Sequence, residues 1–551
     1  MPESILSIII FSPVLGIVII PFLKDLTAIK WTSLIVTLIT FVLSVPLLSS
    51  FDTNNTALQF VHKIPNWLSS GKLVVDFHFG LDGVALLLFV LTSFLFFISS
   101  IASWTYIHKR EKEFYIALLS LEVGVLGVFA AANLVLFYVF WELMLIPMAL
   151  LIGVWGGENR VYAAVKFFIY TMAGSVLMLA AILIIYLKTG ETSLEALSTN
   201  NLSNLSPDLQ AFLFFAFALS FAIKIPIFPV HTWLPDAHTE APTAGSVILA
   251  GVMLKMGTFG FIRYCIPFYP AIALEYQNFI MLLSVIGIVY GALVAMVQKD
   301  GKKLIAYSSV SHLGFCLLGL MTFTEEGVLG GMIQMINHGV STGMLFLMIG
   351  MIYERTHTRL IADYGGIAKI IPMYALFFMI AMLSSVGLPG MNGFVGEFLV
   401  LLGTLKVNVW YGIIAGTGVV WAACYLLWFT KRFLFGEITK KENELLSDLN
   451  AREIAILVPM VVLIFWFGVY PNTFMKYLEP SARVYLNSAS AKAIQERTAT
   501  KESGIKQELT LSYKSLGEKP KSFEERLKGF TGLYALINTN VATNPKTEEK
   551  K

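Results

Sequence analysis

Charge is scarce in this sequence. Asp, Glu, Lys and Arg make up 14% of the residues while hydrophobic types reach 56%, against about a quarter charged in soluble globular proteins. That balance, with a mean hydropathy of +0.73, excludes a soluble domain and implies a polytopic membrane protein whose partner is the lipid bilayer. Cysteine is scarcer still: Cys265, Cys316 and Cys424 stand singly in or beside apolar runs, a pattern that supports neither a disulfide framework nor iron–sulfur ligation. No G-x-G-x-x-G follows a strand-like run and no G-x-x-x-x-G-K-[ST] occurs, so no redox cofactor is expected in this chain. Nucleic acid is not among the expected partners.

What is present is a succession of apolar stretches, each near the ~20 residues that a membrane span needs. Fourteen spans are expected, at roughly 4–23, 31–50, 82–106, 114–132, 134–155, 161–187, 209–229, 243–262, 276–297, 303–322, 328–353, 371–404, 410–430 and 453–471. The first lacks a small-residue cleavage site and is followed at once by others, so it reads as a membrane helix and not a removable signal. Alternate loops carry 17 Lys and Arg residues, Lys302 among them, against five on the other side: Lys63, Lys72, Lys188, Arg263 and Lys406. The positive-inside rule places the richer set in the cytoplasm or an equivalent compartment. Both termini are then outside.

Few ionisable residues remain within the spans. They are Lys166, Lys224 and Lys255, the acids Glu122, Glu142 and Glu397, and the mid-span histidines His312 and His338. A charge at the bilayer centre costs about 2.5–3.5 kcal/mol on insertion scales, so such groups face the protein interior and mark a pathway. Blander readings stand beside that one. Lys166 lies a turn or two inside its helix and could snorkel to the basic side. Glu122 could neutralise a neighbouring Lys, and the histidines could be hydrogen-bonded packing residues. Glu142 and Lys255 lie close to the midplane, about 12 and 18 Å from a helix end at 1.5 Å per residue, where snorkelling fails.

The helices that carry these charges are interrupted. "AIKIPIFPVHTWLPDAHTE" sets Pro226 and Pro229 just after Lys224, and "SSVGLPGMNGFVGEF" sets Gly387, Pro389, Gly390 and Gly393 just before Glu397. Irregular backbone at membrane depth is tolerated only where it is buried in protein or lines a wet cavity, and paired interrupted segments point to a transport site. Segments 163–186 and 330–353 align without gaps at an offset of 167, with Ile169/Ile336, Ile182/Ile349, Ile185/Ile352 and Tyr186/Tyr353 identical. Equivalent members are separated by five spans, an odd number, which inverts the second unit in the membrane. The expected fold is therefore an all-α polytopic membrane protein of about 14 transmembrane helices, with two inverted five-helix repeats, each containing a broken helix. Its parts are three N-terminal helices (1–112), the first repeat (113–263), the second (264–432), a cytoplasmic-side loop and last helix (433–475), and a polar, charged extension (476–551).

The words "FWELMLIPM", "KFFIYTMAGS", "FAIKIPIFPVHTWLPDAHTEAPTAGSVILAGVMLKMGTFGFIR", "DGKKLIAYSSVSHLGF", "NHGVSTGMLFLMIGMIYERTHTR" and "LPGMNGFVGEF" resemble the antiporter-like membrane subunits of respiratory complex I. The resemblance spans about 1–475. Glu397, in "GFVGEF", is similar to the subunit M, or chain 4, type; the subunit L and N types and the antiporter proteins of multisubunit Mrp systems generally have Lys there. The resemblance implies a proton-translocating membrane subunit of an NADH–quinone oxidoreductase. In it Glu142 would be the acidic partner of the proton-accepting Lys224, Lys255 the central Lys and Glu397 the terminal acid, with His312 and His338 along the hydrated axis. Glu122 and Lys166 fall in matching words with less clear roles. It further implies FMN, iron–sulfur clusters and quinone in partner subunits, neighbours of the L and N types, and a cell inner (cytoplasmic) membrane or an organellar one, with both termini on the periplasmic side. A general argument supports such roles: burial disfavours the charged form of a Lys or Glu and an opposite charge restores it, so varying a Glu–Lys distance moves a proton.

Two features stay outside that picture. The turn "HTWLPDAHTE" holds His231, Asp236, His238 and Glu240 at a density seen in metal sites, although a polar turn capping a broken helix is the simpler account and no metal is expected. The tail from about 476 reads either as a solvated extension or as a contact arm on the outer face. The alternative function is a subunit of a multisubunit Na⁺/H⁺ antiporter of the Mrp type, in which an ion gradient replaces electron transfer as the drive.

Overall fold

In a computed structural model the described residues are 2–489, apart from 71–72, 199–201 and 203. The fourteen expected spans are all present as helices. Thirteen are long and apolar enough to cross a membrane: α1 Ile5–Phe22, α2 Leu26–Ser50, α3 Gly83–Ala102, α4 Glu111–Ala130, α5 Leu134–Trp155, α6 Arg160–Thr189, α7 Pro207–Lys224, α8 Thr243–Phe268, α9 Gln277–Met296, α10 Gly301–Met321, α11 Glu325–Thr356, α13 Val409–Leu434 and α14 Ala451–Val469. The remaining one, α12, is made of two halves, Pro372–Val386 and Asn392–Val407.

Burial sorts these helices. The apolar stretches of α8 and α11 are wholly covered by neighbouring helices, whereas only 33% of those of α2 and α14 is covered. An all-round apolar helix belongs in the middle of a bundle, and α8, α10 and α11 form that middle. The peripheral helices expose large apolar side chains such as Trp31, Leu187, Trp410 and Val462, as lipid contact requires.

Both interruptions are built from the local sequence. After Lys224 the chain passes Pro226 and Pro229, and the helical ladder slips: the Ile227 N–H bonds the Ala222 carbonyl at 2.9 Å. The Ile223 carbonyl then accepts from the Trp233 indole N–H at 2.8 Å, which satisfies a group that would otherwise be orphaned at membrane depth. The chain resumes as a short helix, Trp233–Glu240. In α12 the first half ends on Gly387 in the left-handed region at φ 82°, with the Leu388 N–H reaching back to the Leu383 carbonyl at 3.1 Å, a cap that glycine makes without strain. A Cβ on Gly393 would sit 2.1 Å from the Ser384 carbonyl oxygen, so the halves meet only because residue 393 has no side chain.

Outside the spans lie two elements that hydropathy does not reveal. Gln59–Ser70 and Leu73–Leu81 pair as an antiparallel hairpin, β1 and β2, on the face opposite the basic loops; its inward residues Val75, Phe77 and Phe79 are buried while Trp67 and Val74 stay exposed. The segment expected to be a polar extension starts instead with a helix over 472–489 on that same face. Leu478, Ala482 and Tyr485 form its buried stripe, and the hydroxyls of Tyr477 and Tyr485 donate to the carbonyls of Leu48 at 3.0 Å and Leu320 at 2.8 Å. Residues 490–551 of the expected extension lie outside the described residues.

Candidate functional site

A line of polar groups runs through the bundle middle, beginning at Lys255 in α8. That helix contains wide π-turns at Leu249–Met253 and Phe261–Cys265, features that commonly mark functional sites. Here the widened turn frees the Ala250 carbonyl, which accepts from the Lys255 ammonium. The same nitrogen meets His338 Nδ1 at 2.6 Å. The His338 and His312 ring centres are 5.7 Å apart, and His312 Nδ1 contacts Glu397 Oε1 at 2.8 Å. Lys255, His338, His312 and Glu397, four of the eight candidates, thus form one buried array across α8, α11, α10 and the second half of α12.

The Nε2 atoms of both histidines lack a protein partner, and both rings line one small polar cavity, with Gln334, Asn337, Ser341, Ser384 and Glu397, that has room for about one water. Gln334 Nε2 donates to Glu397 Oε1 at 3.0 Å. Gln334, Asn337, His338 and Ser341 follow an i, i+3, i+4, i+7 spacing along one face of α11. Of these only His338 is ionisable and so stands out in the sequence, yet the polar stripe in an otherwise apolar helix marks the other three as well.

Lys224 and Glu142 are arranged differently. Lys224 Nζ and Glu142 Oε1 are buried and neither has a hydrogen-bond partner. Glu142 is the carboxylate whose charge reaches Lys224, but no hydrogen bond joins them. The ammonium instead faces two rings, with Trp141 at 5.2 Å and Phe167 at 5.5 Å from Nζ to ring centre, an aromatic setting that attracts a cation.

The remaining two candidates stand apart. Lys166 pairs with Asp236 of the Trp233–Glu240 segment at 2.7 Å, so it ties α6 to the broken part of α7. Glu122 is fully buried and neither carboxyl oxygen has a hydrogen-bond partner among the described residues, so the blander reading of a Lys pair finds no contact.

The dense turn after Lys224 disperses its polar side chains. His231 packs edge-on to Tyr290, Asp236 pairs with Lys166, His238 stacks on Phe346 at 4.6 Å, and Glu240 accepts the Asn159 N–H at 3.0 Å. Lys302, taken as a loop residue in the sequence analysis, is buried in the first turn of α10 because Asp300 caps that helix one residue before Gly301. Its ammonium donates to the Ala241 carbonyl at 2.7 Å and lies 3.5 Å from Ser246 Oγ. Arg263 is likewise no loop residue: it lies in α8 and pairs with Asp82 at 2.5 Å.

Among the described residues, fourteen membrane helices, two of them broken beside buried lysine and glutamate, and a buried Lys–His–His–Glu array define an antiporter-like, proton-handling membrane protein. Comparison with known proteins gives the particular family. The profile described as NADH:quinone oxidoreductase/Mrp antiporter, TM matches residues 131–422. The chain is 44% identical over 496 residues to NADH-quinone oxidoreductase subunit M of Rhodobacter capsulatus, covering 87% of this chain and 96% of that one. It is 41% identical over 479 residues to NADH-ubiquinone oxidoreductase chain 4 of Arabidopsis thaliana, covering 86% and 96%. Among solved structures, a chain of respiratory complex I from Thermus thermophilus superposes with a TM-score of 0.80 at 32% identity, over 88% of this chain and 100% of that one. A chain of the Mrp complex from Dietzia sp. DQ12-45-1b shares the fold, with a TM-score of 0.78 at 18% identity over 90% and 99%. The chain belongs to the NADH:quinone oxidoreductase/Mrp antiporter family, as a membrane subunit of the complex I subunit M, or chain 4, type. It is a multi-pass, proton-translocating subunit of a multisubunit NADH–quinone oxidoreductase.

Proposed function

We propose that protons cross this subunit through two linked sections. In the first, a proton taken up from the basic, cytoplasmic side resides on Lys224, and the Glu142–Lys224 separation decides whether Lys224 holds or releases it. In the second, it passes from Lys255 to His338, across to His312, and on to Glu397, from which it leaves on the opposite side. The buried Lys255–His338–His312–Glu397 array, bonded at each end and with its two imidazole ring centres 5.7 Å apart, carries this reading. A neutral imidazole offers one donor and one acceptor nitrogen, so with Nδ1 of His338 on Lys255 and Nδ1 of His312 on Glu397, a water between the two Nε2 atoms joins the halves of the chain. Moving one charge against 100 mV requires about 2.3 kcal/mol, matched by a change of roughly two pKa units at 1.36 kcal/mol each. Desolvation and a moving counter-charge supply changes of that size.

The drive is quinone reduction in partner subunits that hold the FMN, iron–sulfur clusters and quinone, and subunits of the L and N types are the neighbours in the membrane. The membrane is a cell inner membrane, or an organellar one, with both termini on the outer side. Two inverted repeats, 113–263 with Glu142, Lys224 and Lys255 and 264–432 with His312, His338 and Glu397, lie between helices 1–112 and the loop and last helix 433–475. The two broken helices, one in each repeat, support that division.

The test is His338→Ala in the whole complex in sealed vesicles. The assembled complex should keep NADH oxidation by a water-soluble acceptor and lose most quinone-linked proton pumping. Wild-type pumping in that variant refutes the path.

A further inference from the structure

Beside the array, at the interruption of α12, lies a second set of hydrogen bonds whose centre is a neutral residue. Asn392 is the first residue of the second half of α12 and is fully buried. Its side-chain N–H donates to the Asn337 carbonyl of α11 at 3.1 Å, while the Asn337 side-chain N–H donates to the Asn392 carbonyl at 2.7 Å. The Asn392 carbonyl oxygen Oδ1 accepts from Ser341 Oγ of α11 at 3.1 Å and from Ser384 Oγ of the first half of α12. Those two hydroxyls are themselves 2.7 Å apart. One amide therefore ties together the three chain segments that meet at the interruption.

We propose that Asn392 is a positioning residue for proton transfer, fixing the start of the second half of α12 against α11 so that the Glu397 carboxyl stays on His312. The inference rests on the proton path above and adds a residue that does not itself titrate. Glu397 lies five residues after Asn392, about 7.5 Å along a helix axis. A tilt of the half-helix about its start thus carries straight into the 2.8 Å His312–Glu397 contact. Among the described residues no other side-chain hydrogen bond joins the first turn of this half-helix to Ser341 or Ser384, and the linker 387–391 before it has no polar side chain. The chemistry selects an amide. A carboxylate at 392 would face the Asn337 carbonyl with no proton to donate and would place a second acid beside the cavity that Glu397 lines. An alanine would leave the Ser341 and Ser384 hydroxyls without that acceptor. Only a group that donates on one side and accepts on the other fits both neighbours.

The experiment uses the assembled complex in sealed vesicles with Asn392→Ala, Asn337→Ala and Glu397→Gln. Assembly, NADH oxidation by a water-soluble acceptor, protons pumped per quinone reduced, and the pH profile of coupled quinone reduction are measured for each. Loss of buried hydrogen bonds that hold a geometry should lower the pumped ratio of Asn392→Ala by roughly threefold to tenfold. Its pH profile should move by about half a unit or more, because proton transfer across a lengthened His312–Glu397 gap becomes rate-limiting. Asn337→Ala, which removes the reciprocal bond from the α11 side, should shift the profile in the same direction by less. It serves as the test if Asn392→Ala fails to assemble. A wild-type ratio and pH profile in whichever of the two variants assembles, with pumping lost in Glu397→Gln, overturns the positioning role and leaves the path standing. Wild-type pumping in Glu397→Gln overturns the path itself.

Discussion

The two broken helices hold their charged residues in opposite ways. At the α7 interruption Lys224 is buried, Glu142 is half-buried, and neither Lys224 Nζ nor the buried Glu142 Oε1 has a hydrogen-bond partner among the described residues, while the ammonium faces two aromatic rings. At the α12 interruption Glu397 is bonded to His312 and Gln334, and its half-helix is pinned to α11. The first arrangement leaves a distance free to vary and the second closes it. An open pair suits a switch, since Coulomb energy in a low-dielectric setting changes steeply with separation. An array bonded at both ends, with a gap the size of one water between its two imidazoles, suits a conductor, since each transfer needs only a short local step. Glycine makes the difference at α12, where Gly393 lets the half-helices touch; two prolines make it at α7, where they leave a longer connection before Trp233.

The largest effect is expected where the conductor has one exit. Glu397→Gln keeps shape and accepts from the same donors but cannot titrate, so pumping should fall roughly tenfold or more, equivalent to about 1.4 kcal/mol per decade, with assembly near normal. Glu397→Asp should retain much of the pumping. Glu397→Lys separates relay from counter-charge: partial pumping supports a relay, whereas failure of this variant alone to assemble supports a structural pair with a cation. Proton pumping, quinone reductase activity and the amount of assembled complex check all three.

The switch should fail less abruptly. Glu142→Gln and Lys224→Ala are expected to reduce quinone reduction and pumping together in tightly coupled membranes, with normal assembly because neither group holds a hydrogen bond that the fold depends on. If Glu142→Gln reduces pumping while quinone reduction stays at wild type, the two sections are less tightly linked than this geometry implies. Unchanged pumping in an assembled Glu142→Gln complex ends the role of that pair.

Much of this contrast is legible in the sequence, because the cost of burying charge is a strong filter. Searching the spans for ionisable residues finds Glu142, Lys224, Lys255, His312, His338 and Glu397 with no structural information, and the Pro and Gly clusters locate both interruptions. That filter is blind to neutral polar residues, so Gln334, Asn337, Ser341 and Asn392 pass through it although they shape the cavity. It also depends on where a span begins. Lys302 sits one residue inside α10, and hydropathy alone does not resolve a helix start that is fixed by the Asp300 cap. Lys166 shows the converse. A sequence places it near the basic surface, but only the fold reveals that the α7 interruption delivers Asp236 to it. The hairpin β1–β2 and the helix 472–489 are missed because average polarity hides an amphipathic face: Leu478, Ala482 and Tyr485 recur at helical spacing within a segment that is polar overall.

The smallest effect tests the aromatic setting of the switch. Trp141 lies 5.2 Å from Lys224 Nζ and also packs edge-on to Phe221, so its ring serves both charge and packing. A cation–π contact is worth about 0.5–1 kcal/mol at exposed sites and about 2 or more when fully desolvated, and with Phe167 still facing the ammonium the loss of one ring should cost about 0.5–1.4 kcal/mol. Trp141→Leu should therefore lower pumping by roughly twofold to tenfold, less than Glu142→Gln, if the ring face helps hold Lys224 as a cation. Trp141→Phe keeps a face of weaker quadrupole and should fall between Trp141→Leu and wild type. Packing alone predicts a different pattern. Both smaller residues leave a cavity, so both would lower the thermal stability of the complex, and pumping per assembled complex would be the same in the two. Measuring pumped protons per quinone reduced against the melting temperature of each variant distinguishes the outcomes. A graded loss of pumping that follows the ring and not the stability means the cation is held by the aromatic faces while the Glu142–Lys224 distance is open.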